Sequence, residues 1–339
     1  MIGARMTATR IFTPPRLAGY ALLDSGGARR LERFGALVVD RPEPQALWAP
    51  RLAPERWRAA DLVFERETDR GGRWEGAGAP EDWELRPFAG APAGSWSAAW
   101  HATALRLRPT SFKHVGVFPE QAANWRWTER ARELLGTDRP RLLNLFGYTG
   151  AASLLAALSG FEVTHVDASK TSLAWMRENL EASGLAADAV RVVLDDALGF
   201  ARREVRREQR YEGILLDPPH YGRGPKGEKW QFEEGLRPLL EACADLLAER
   251  SFLVLSTYAI GHSPLAFANL LGGLEGGRVV AGELSIPEEP DDPRDPNARE
   301  LPASGPPRLL PCGSCARWWR GFPDPDRATE PGAADGGAP

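Results

Sequence analysis

Asp217-Pro218-Pro219-His220-Tyr221 is the stretch whose residue types most narrowly limit its chemistry. Two successive prolines fix the backbone and remove two N–H donors, leaving carbonyl oxygens and one carboxylate as an acceptor corner. Such a corner suits the N–H groups of a planar amine or base. Asp217 and the Pro218 carbonyl would orient the reacting group, and Tyr221 offers a ring to stack on its face. A rigid surface turn is the plainer use of the same residues.

Three further segments belong with it. Asn144-Leu145-Phe146-Gly147-Tyr148-Thr149-Gly150 has two glycines that let the backbone turn tightly and approach a ligand, although such turns also serve as bare strand-to-helix connections. Asp167, with Ala168 after it, stands twenty residues beyond Gly147, where a carboxylate can accept hydrogen bonds from both hydroxyls of an adenosine ribose. Asp195-Asp196 offers a partner for an adenine amino group. Helix capping is the alternative role for both acidic sites.

These segments need a scaffold that brings them to one edge. From Arg141 the chain alternates buried-looking strands (141–146, 162–167, 190–194, 212–217, 251–257) with helical stretches (150–159, 170–183, 196–207, 230–249). That alternation signals a parallel sheet with crossover helices, in which ligands bind beyond the carboxyl ends of the strands. A helix at 264–272 and apolar runs at 278–286 and 307–316 bring the strand number to seven. Residues 17–110 read instead as strands and turns, with turn signals at Asp24-Ser25-Gly26-Gly27 and Arg70-Gly71-Gly72. The expected division is a β-rich domain over 1–110, a candidate for substrate recognition, a catalytic domain over 111–320 and a disordered tail over 321–339. Residues 287–307 form a Pro- and Asp-rich loop.

A glycine turn after the first strand, acids after the second and third, and Asp-Pro-Pro after the fourth together point to an S-adenosylmethionine pocket. A nicotinamide pocket competes, but the first turn lacks the full Gly-x-Gly-x-x-Gly pattern.

Over residues 110–285 the sequence resembles class I S-adenosylmethionine-dependent methyltransferases, within the group related to bacterial large-subunit (23S) rRNA methyltransferases. Residues 142–150 and Asp217-Pro218-Pro219-His220-Tyr221 carry the resemblance, together with Gly116-Val117-Phe118-Pro119-Glu120-Gln121-Ala122-Ala123-Asn124. It implies a Rossmann-like α/β fold, with a seven-stranded, mostly parallel sheet and the smaller β-rich domain in front. Phe118, Gln121, Asn144 and the turn Phe146–Gly150 would face the cofactor, Asp167 its ribose, Asp195 or Asp196 its adenine, and Asp217 the methyl group.

Two departures from the group bear on mechanism. Ala122 stands where relatives have Arg, so that contact is not carried over. Members that methylate carbon 5 of cytosine use a cysteine nucleophile after strand four or five, where this chain has His220 and Ser256-Thr257-Tyr258. Carbon 5 of a pyrimidine needs prior addition of a thiolate. The expectation is therefore transfer to nitrogen or oxygen without a cysteine, with positioning supplying most of the catalysis.

RNA is the expected acceptor, with Arg223, Lys226 and Lys229 as a basic loop for its phosphates beside the Asp-Pro-Pro corner. Against this, the net charge is −4, so any nucleic-acid contact must be local. Arg202, Arg203, Arg206, Arg207 and Arg210 are interleaved with Glu204 and Glu208, as in a solvated helix face. Of twelve tryptophans, Trp48, Trp57, Trp74, Trp83, Trp96 and Trp100 fall in the N-terminal part, where packing a small core is their expected use and stacking on bases a second one. A methyltransferase for a small molecule or protein is the alternative, and a binding scaffold without catalysis a third reading.

Three cysteines are too few for a disulfide framework in 339 residues, which suits a reducing compartment, and no apolar run is long enough for a membrane span. A cytoplasmic protein is expected. Cys312-Gly313-Ser314-Cys315 lacks a second half-site at ligand spacing, so no metal is expected.

Overall fold

A computed structural model describes residues 10–68, 71–76, 80–92, 94–258, 261–289, 292 and 305–327. Short aromatic and β-branched runs closed by turns make the N-terminal part a set of strands. β1 (Arg10–Phe12) precedes β2 (Tyr20–Gly26), β3 (Arg29–Phe34), β4 (Leu37–Pro42), α1 (Pro54–Arg58), β5 (Leu62–Thr68), β6 (Gly71–Glu75), β7 (Trp83–Leu85) and β8 (Leu105–Leu107). Strands β2 to β6 form one sheet in chain order, antiparallel except where β4 and β5 run parallel across α1, and β7 pairs with β8. The tryptophans here pack. Trp96 and Trp100 are buried against Phe88, Trp74 sets its edge on Phe64, and the Trp57 indole N–H donates to the buried Asp24.

The second part runs α2 (Ala122–Leu135), β9 (Arg141–Leu145), α3 (Ala151–Leu158), β10 (Glu162–Asp167), α4 (Lys170–Ala182), β11 (Val190–Leu194), α5 (Ala197–Arg206), β12 (Tyr211–Leu216), β13 (Tyr221–Arg223), β14 (Lys229–Gln231), α6 (Phe232–Leu246), β15 (Leu247–Thr257), α7 (Pro264–Gly272), β16 (Arg278–Pro287) and β17 (Leu309–Arg320). Its sheet has the order β1-β16-β17-β15-β12-β9-β10-β11. From β15 to β11 the strands are parallel and covered on both faces, which is why they read as near-continuous apolar runs. β17 runs antiparallel to both its neighbours.

The structure corrects three expectations. The sheet is mixed and has eight strands, not seven, because Arg10–Phe12 pairs in parallel with Gly282–Leu284 at its edge. Gly282 permits the pairing, since a Cβ there would strike the Arg10 carbonyl. The helix expected from residue 230 starts at Phe232, since Lys229–Gln231 pairs back on Tyr221–Arg223 as a hairpin. The tail is ordered through Arg327: Phe322 is buried, and Asp326 pairs with Arg10 and Arg317. Residues 328–339 and most of the expected loop at 287–307 lie outside the described residues.

One apolar cluster joins the two parts. Phe12, Leu22, Phe34, Trp96 and Trp100 belong to the same buried group as Leu142, Leu154, Phe252 and Trp319. The opposite face of the large sheet packs on α5, α6 and α7. No helix among the described residues is long and apolar enough to cross a membrane.

Candidate active site

Strands β9, β12 and β15 end at one edge, and residues at and just past their ends line a cleft, whereas the expected site residues Asp167, Ala168, Asp195, Asp196 and Pro218 are not part of its lining. Phe118, Gln121, Asn144, Phe146, Gly147, Tyr148, Thr149, Gly150 and Asp217 all line it, along with Asn124 and Ser256. Residues far apart in sequence are thus brought together by parallel register: Leu142 of β9 lies between Val163 of β10 and Gly213 of β12.

The turn after β9 is strained. Phe146 and Tyr148 hold φ of 60° and 52°, a left-handed conformation that costs a residue with a Cβ about 1–2 kcal/mol. Backbone bonds hold it, from Gly147 N–H to the Val166 carbonyl (3.1 Å) and from Gly150 N–H to the Gly147 carbonyl (3.0 Å). Gly147 is required from behind, because a Cβ there would collide with the buried His165 imidazole, and Gly150 combines a φ of 86° with a close approach to Met176. His165 Nδ1 lies 2.9 Å from Ser153 Oγ, which accepts from Asn144 Nδ2 at 2.8 Å. Burial lowers the imidazole to about 4, so it supports the turn as a neutral ring.

Asp167 closes β10. Its Oδ2 accepts the Tyr148 N–H and its Oδ1 the Ser169 N–H, each at 2.8 Å, and both oxygens keep acceptor capacity. Burial raises this carboxyl, while the N–H groups of Ser169, Tyr148 and Ala168 act against the rise.

Asp195 and Asp196 lie beside Asp167, with Asp195 N–H donating to the Asp167 carbonyl at 3.1 Å. Each carboxylate already has a partner on α5. Asp196 caps α5 by accepting the Gly199 N–H at 2.7 Å, and Asp195 pairs with Arg203. Capping, the alternative role considered for this pair, is what these bonds supply.

At the end of β12, Asp217 is half-buried, and its Oδ1 is closed off from solvent without a protein partner. Burial pushes its carboxyl up to about 8, with the buried Glu120 adding to the rise. Gln121 Nε2 reaches Asp217 Oδ2 at 3.4 Å, Ser256 Oγ at 2.9 Å and Tyr258 Oη at 3.1 Å. Phe118 forms the aromatic wall between Tyr148 and Tyr258, with ring centroids 5.8 and 5.3 Å away.

The corner itself is locked from outside. The Pro219 carbonyl accepts the Trp230 indole N–H at 2.6 Å, which ties the β13–β14 hairpin to the sheet, and of this corner Asp217 lines the cleft. Tyr221 is carried outward. It is 68% exposed and stacks on His220 at 4.3 Å, away from the cleft lining. Arg223, Lys226 and Lys229 are exposed on the same hairpin and form no ion pair among the described residues.

Glu120, Asn124, Ser256 and Tyr258 escaped the sequence reading as site residues. Ser256, next to last in β15, and Tyr258, just past it, stand at the end of the fifth parallel strand and so obey the strand-end rule that found the others. They were read there only as the absence of a cysteine. Asn124 lies on α2 and not at a strand end, and the signal at it was its place as the last residue of the Gly116–Asn124 segment that carries the resemblance.

These residues fit S-adenosylmethionine. The cleft combines an aromatic wall with an unpartnered buried carboxylate oxygen where a cationic sulfonium would be stabilised, and Asp167, outside the lining but bonded to the Tyr148 N–H of the lining turn, keeps acceptor capacity beside it.

No family model matches the chain. A SAM-dependent methyltransferase from Agrobacterium tumefaciens is 36% identical and superposes with a TM-score of 0.81, over 94% of this chain and 95% of that one. The chain belongs to the SAM-dependent methyltransferases. Candidate methyltransferases at lower identity share its fold: one from Streptococcus mutans (16%, TM-score 0.62, 90% of this chain and 76% of that one) and SMU.776 complexed with SAH (18%, 0.60, 89% and 76%). This methyltransferase also matches ribosomal RNA large subunit methyltransferase K/L of Shewanella frigidimarina, at 29% identity over 157 residues. The match takes in 45% of the chain but only 21% of that relative.

Proposed function

We propose that the methyltransferase modifies a nitrogen, or an oxygen, of RNA, in the first place ribosomal RNA, without a cysteine nucleophile. The observation that carries the RNA reading is the hairpin that follows the Asp217-Pro218-Pro219 corner and presents Arg223, Lys226 and Lys229 to solvent, with Glu228 interacting with Lys226 and no direct ion pair to the three among the described residues. The similarity to an rRNA methyltransferase supports it. S-adenosylmethionine, when bound, supplies an electrophilic methyl group on a sulfonium. The turn Phe146–Gly150 with Phe118, Gln121 and Asn144 would hold it, Asp167 would accept its ribose hydroxyls, and the backbone around Ala168, Asp195 and Asp196 would border its adenine.

On the acceptor side, Asp217 and the Pro218 carbonyl would take N–H groups of the reacting amine. That orients its lone pair, and Asp217 can receive the released proton. The burial of all three thiols supports transfer without covalent catalysis. Cys243 is pushed up to about 12, and burial also raises Cys312 and Cys315, so none is poised as a thiolate. Tyr221 would stack on a neighbouring base from outside the cleft. Residues 1–110, apart from the strand they add to the large sheet, would form the substrate-recognition part, and 111–320 the catalytic part. An rRNA acceptor places the work in the cytoplasm.

Mass spectrometry of rRNA nucleosides from a deletion strain tests the proposal. Loss of one nucleoside methylated on nitrogen or oxygen is expected. A profile identical to the parent's would overturn the rRNA assignment and favour the small-molecule or protein acceptor, with which the net charge of −4 is compatible.

A further inference from the structure

A chain of buried hydrogen bonds runs from β17 to the Asp217 corner, and each link fixes the direction of the next. Arg317 Nε, which can only donate, lies 3.0 Å from Asn124 Oδ1, and the Cys315 thiol reaches the same oxygen at 3.3 Å. Asn124 must therefore turn its amide NH₂ the other way, and Nδ2 donates to Gln121 Oε1 at 2.8 Å. Gln121 has then spent its acceptor on Asn124. Its NH₂ is aimed at Asp217, Ser256 and Tyr258.

Arg317 cannot easily reorient. It is buried, with its guanidinium over the Phe12 ring at 4.1 Å and near Trp127 at 5.5 Å, a second bond to the Ala123 carbonyl at 3.1 Å, and Asp326 as counter-ion at 3.3 Å.

We propose that Arg317 and Asn124 are positioning residues that set the polarity of the methyl-transfer corner by holding Gln121 as a donor toward Asp217. Turned over, Gln121 would present Oε1 to a carboxylate and two hydroxyl oxygens. The ionised form of Asp217 would then be disfavoured further. Asp217 already stands in adverse surroundings, since Glu120, Tyr258 and the Cys315 thiol are near it, and Arg30 and Arg41 offset the charge of Glu120. Its ionisation is favoured by a hydrogen bond from Ser256, whose hydroxyl is left to donate because Gln121 donates to its oxygen, with the longer bond from Gln121 itself beside it.

The inference rests on Asp217 facing the sulfonium, and it can be tested without a methyl acceptor. Calorimetry with S-adenosylmethionine and with S-adenosylhomocysteine between pH 6.5 and 9.5 gives the ratio of their affinities. Only the former carries the cation, so in the wild type the ratio should rise with pH as Asp217 ionises. Asn124→Asp places an acceptor against Gln121 Oε1 and drives the amide over. The rise should then move up by about one pH unit, lowering the ratio about three- to tenfold near pH 8. Asn124→Leu, apolar and close in size, leaves Gln121 unheld and should shift the rise in the same direction by less. Asn124→Asp should add nothing in a Gln121→Met background. A wild-type slope left in place by a folded Asn124→Asp or Asn124→Leu variant would overturn the relay alone. A wild-type ratio that is flat with pH would overturn the relay together with the placement of Asp217 at the sulfonium.

Discussion

Asp167 accepts the backbone N–H of Tyr148 at 2.8 Å, so the carboxylate that ends the second parallel strand also pins the turn that follows the first. On the proposed placement of the ribose, loss of Asp167 would remove an acceptor for it and free a strained turn at once. Asp167→Ala should weaken S-adenosylhomocysteine binding at least tenfold, since a lost charged hydrogen bond amounts to about 1.5–3 kcal/mol. Asp167→Asn should fall between the two. Calorimetry at neutral pH checks this, and wild-type affinity in Asp167→Ala would remove the residue from the cofactor site.

Asp217 gives the fold a pH dependence of definite sign. Its folded pKa of about 8 lies above the ordinary carboxylate range, so between about pH 4 and pH 8 the native state binds more protons than the unfolded chain. Stability from this group is complete at low pH and declines as pH rises through that window. Asp217→Asn removes the decline. Its melting temperature should match the wild type near pH 4 and exceed it by about 3 °C or more at pH 9. Parallel melting curves at the two pH values would contradict the burial of an uncompensated carboxyl.

Gly147→Ala sets a methyl group against His165. Overpacking of this kind costs about 1–3 kcal/mol, and the turn that lines the cleft would have to move. Chemical denaturation should register the loss, and S-adenosylhomocysteine binding should weaken with it. Unchanged stability would mean that the imidazole can retreat.

The exposed hairpin predicts a salt effect separate from cofactor binding. Replacing Arg223, Lys226 and Lys229 with Ala should lower RNA affinity and reduce the slope of log affinity against log salt by about 2 units. S-adenosylhomocysteine affinity should stay as it was. Fluorescence anisotropy with a labelled single-stranded rRNA fragment over a salt series makes the comparison, and an unchanged slope would place the RNA elsewhere.

Much of this site was legible because parallel sheets impose a rule. Residues Asn144 to Gly150, Asp167 and Asp217 all stand at or just past strand ends, and the strands were visible as apolar runs such as Leu142-Leu143 and Ile214-Leu215-Leu216. The same rule located Asp195 and Asp196 but could not say that Arg203 and the Gly199 N–H occupy them. What escaped depends on long-range pairing. Nothing near Arg10 announces that it will pair with Gly282, and nothing near Asn124 announces Arg317, 193 residues away. Tyr221 was assigned to stacking at the corner because it follows Pro-Pro in sequence. The Trp230 bond to Pro219 turns it outward instead.

The most direct measurement is methyl transfer from S-[methyl-³H]adenosylmethionine to ribosomal RNA extracted from cells lacking the gene, followed by nucleoside analysis. Incorporation into a single nucleoside is expected, on nitrogen or oxygen, undiminished when Cys243, Cys312 and Cys315 are replaced by Ala and abolished by Asp217→Ala. A label found on carbon 5 of a pyrimidine, or none in RNA that the parent strain's modification would have blocked, would contradict it.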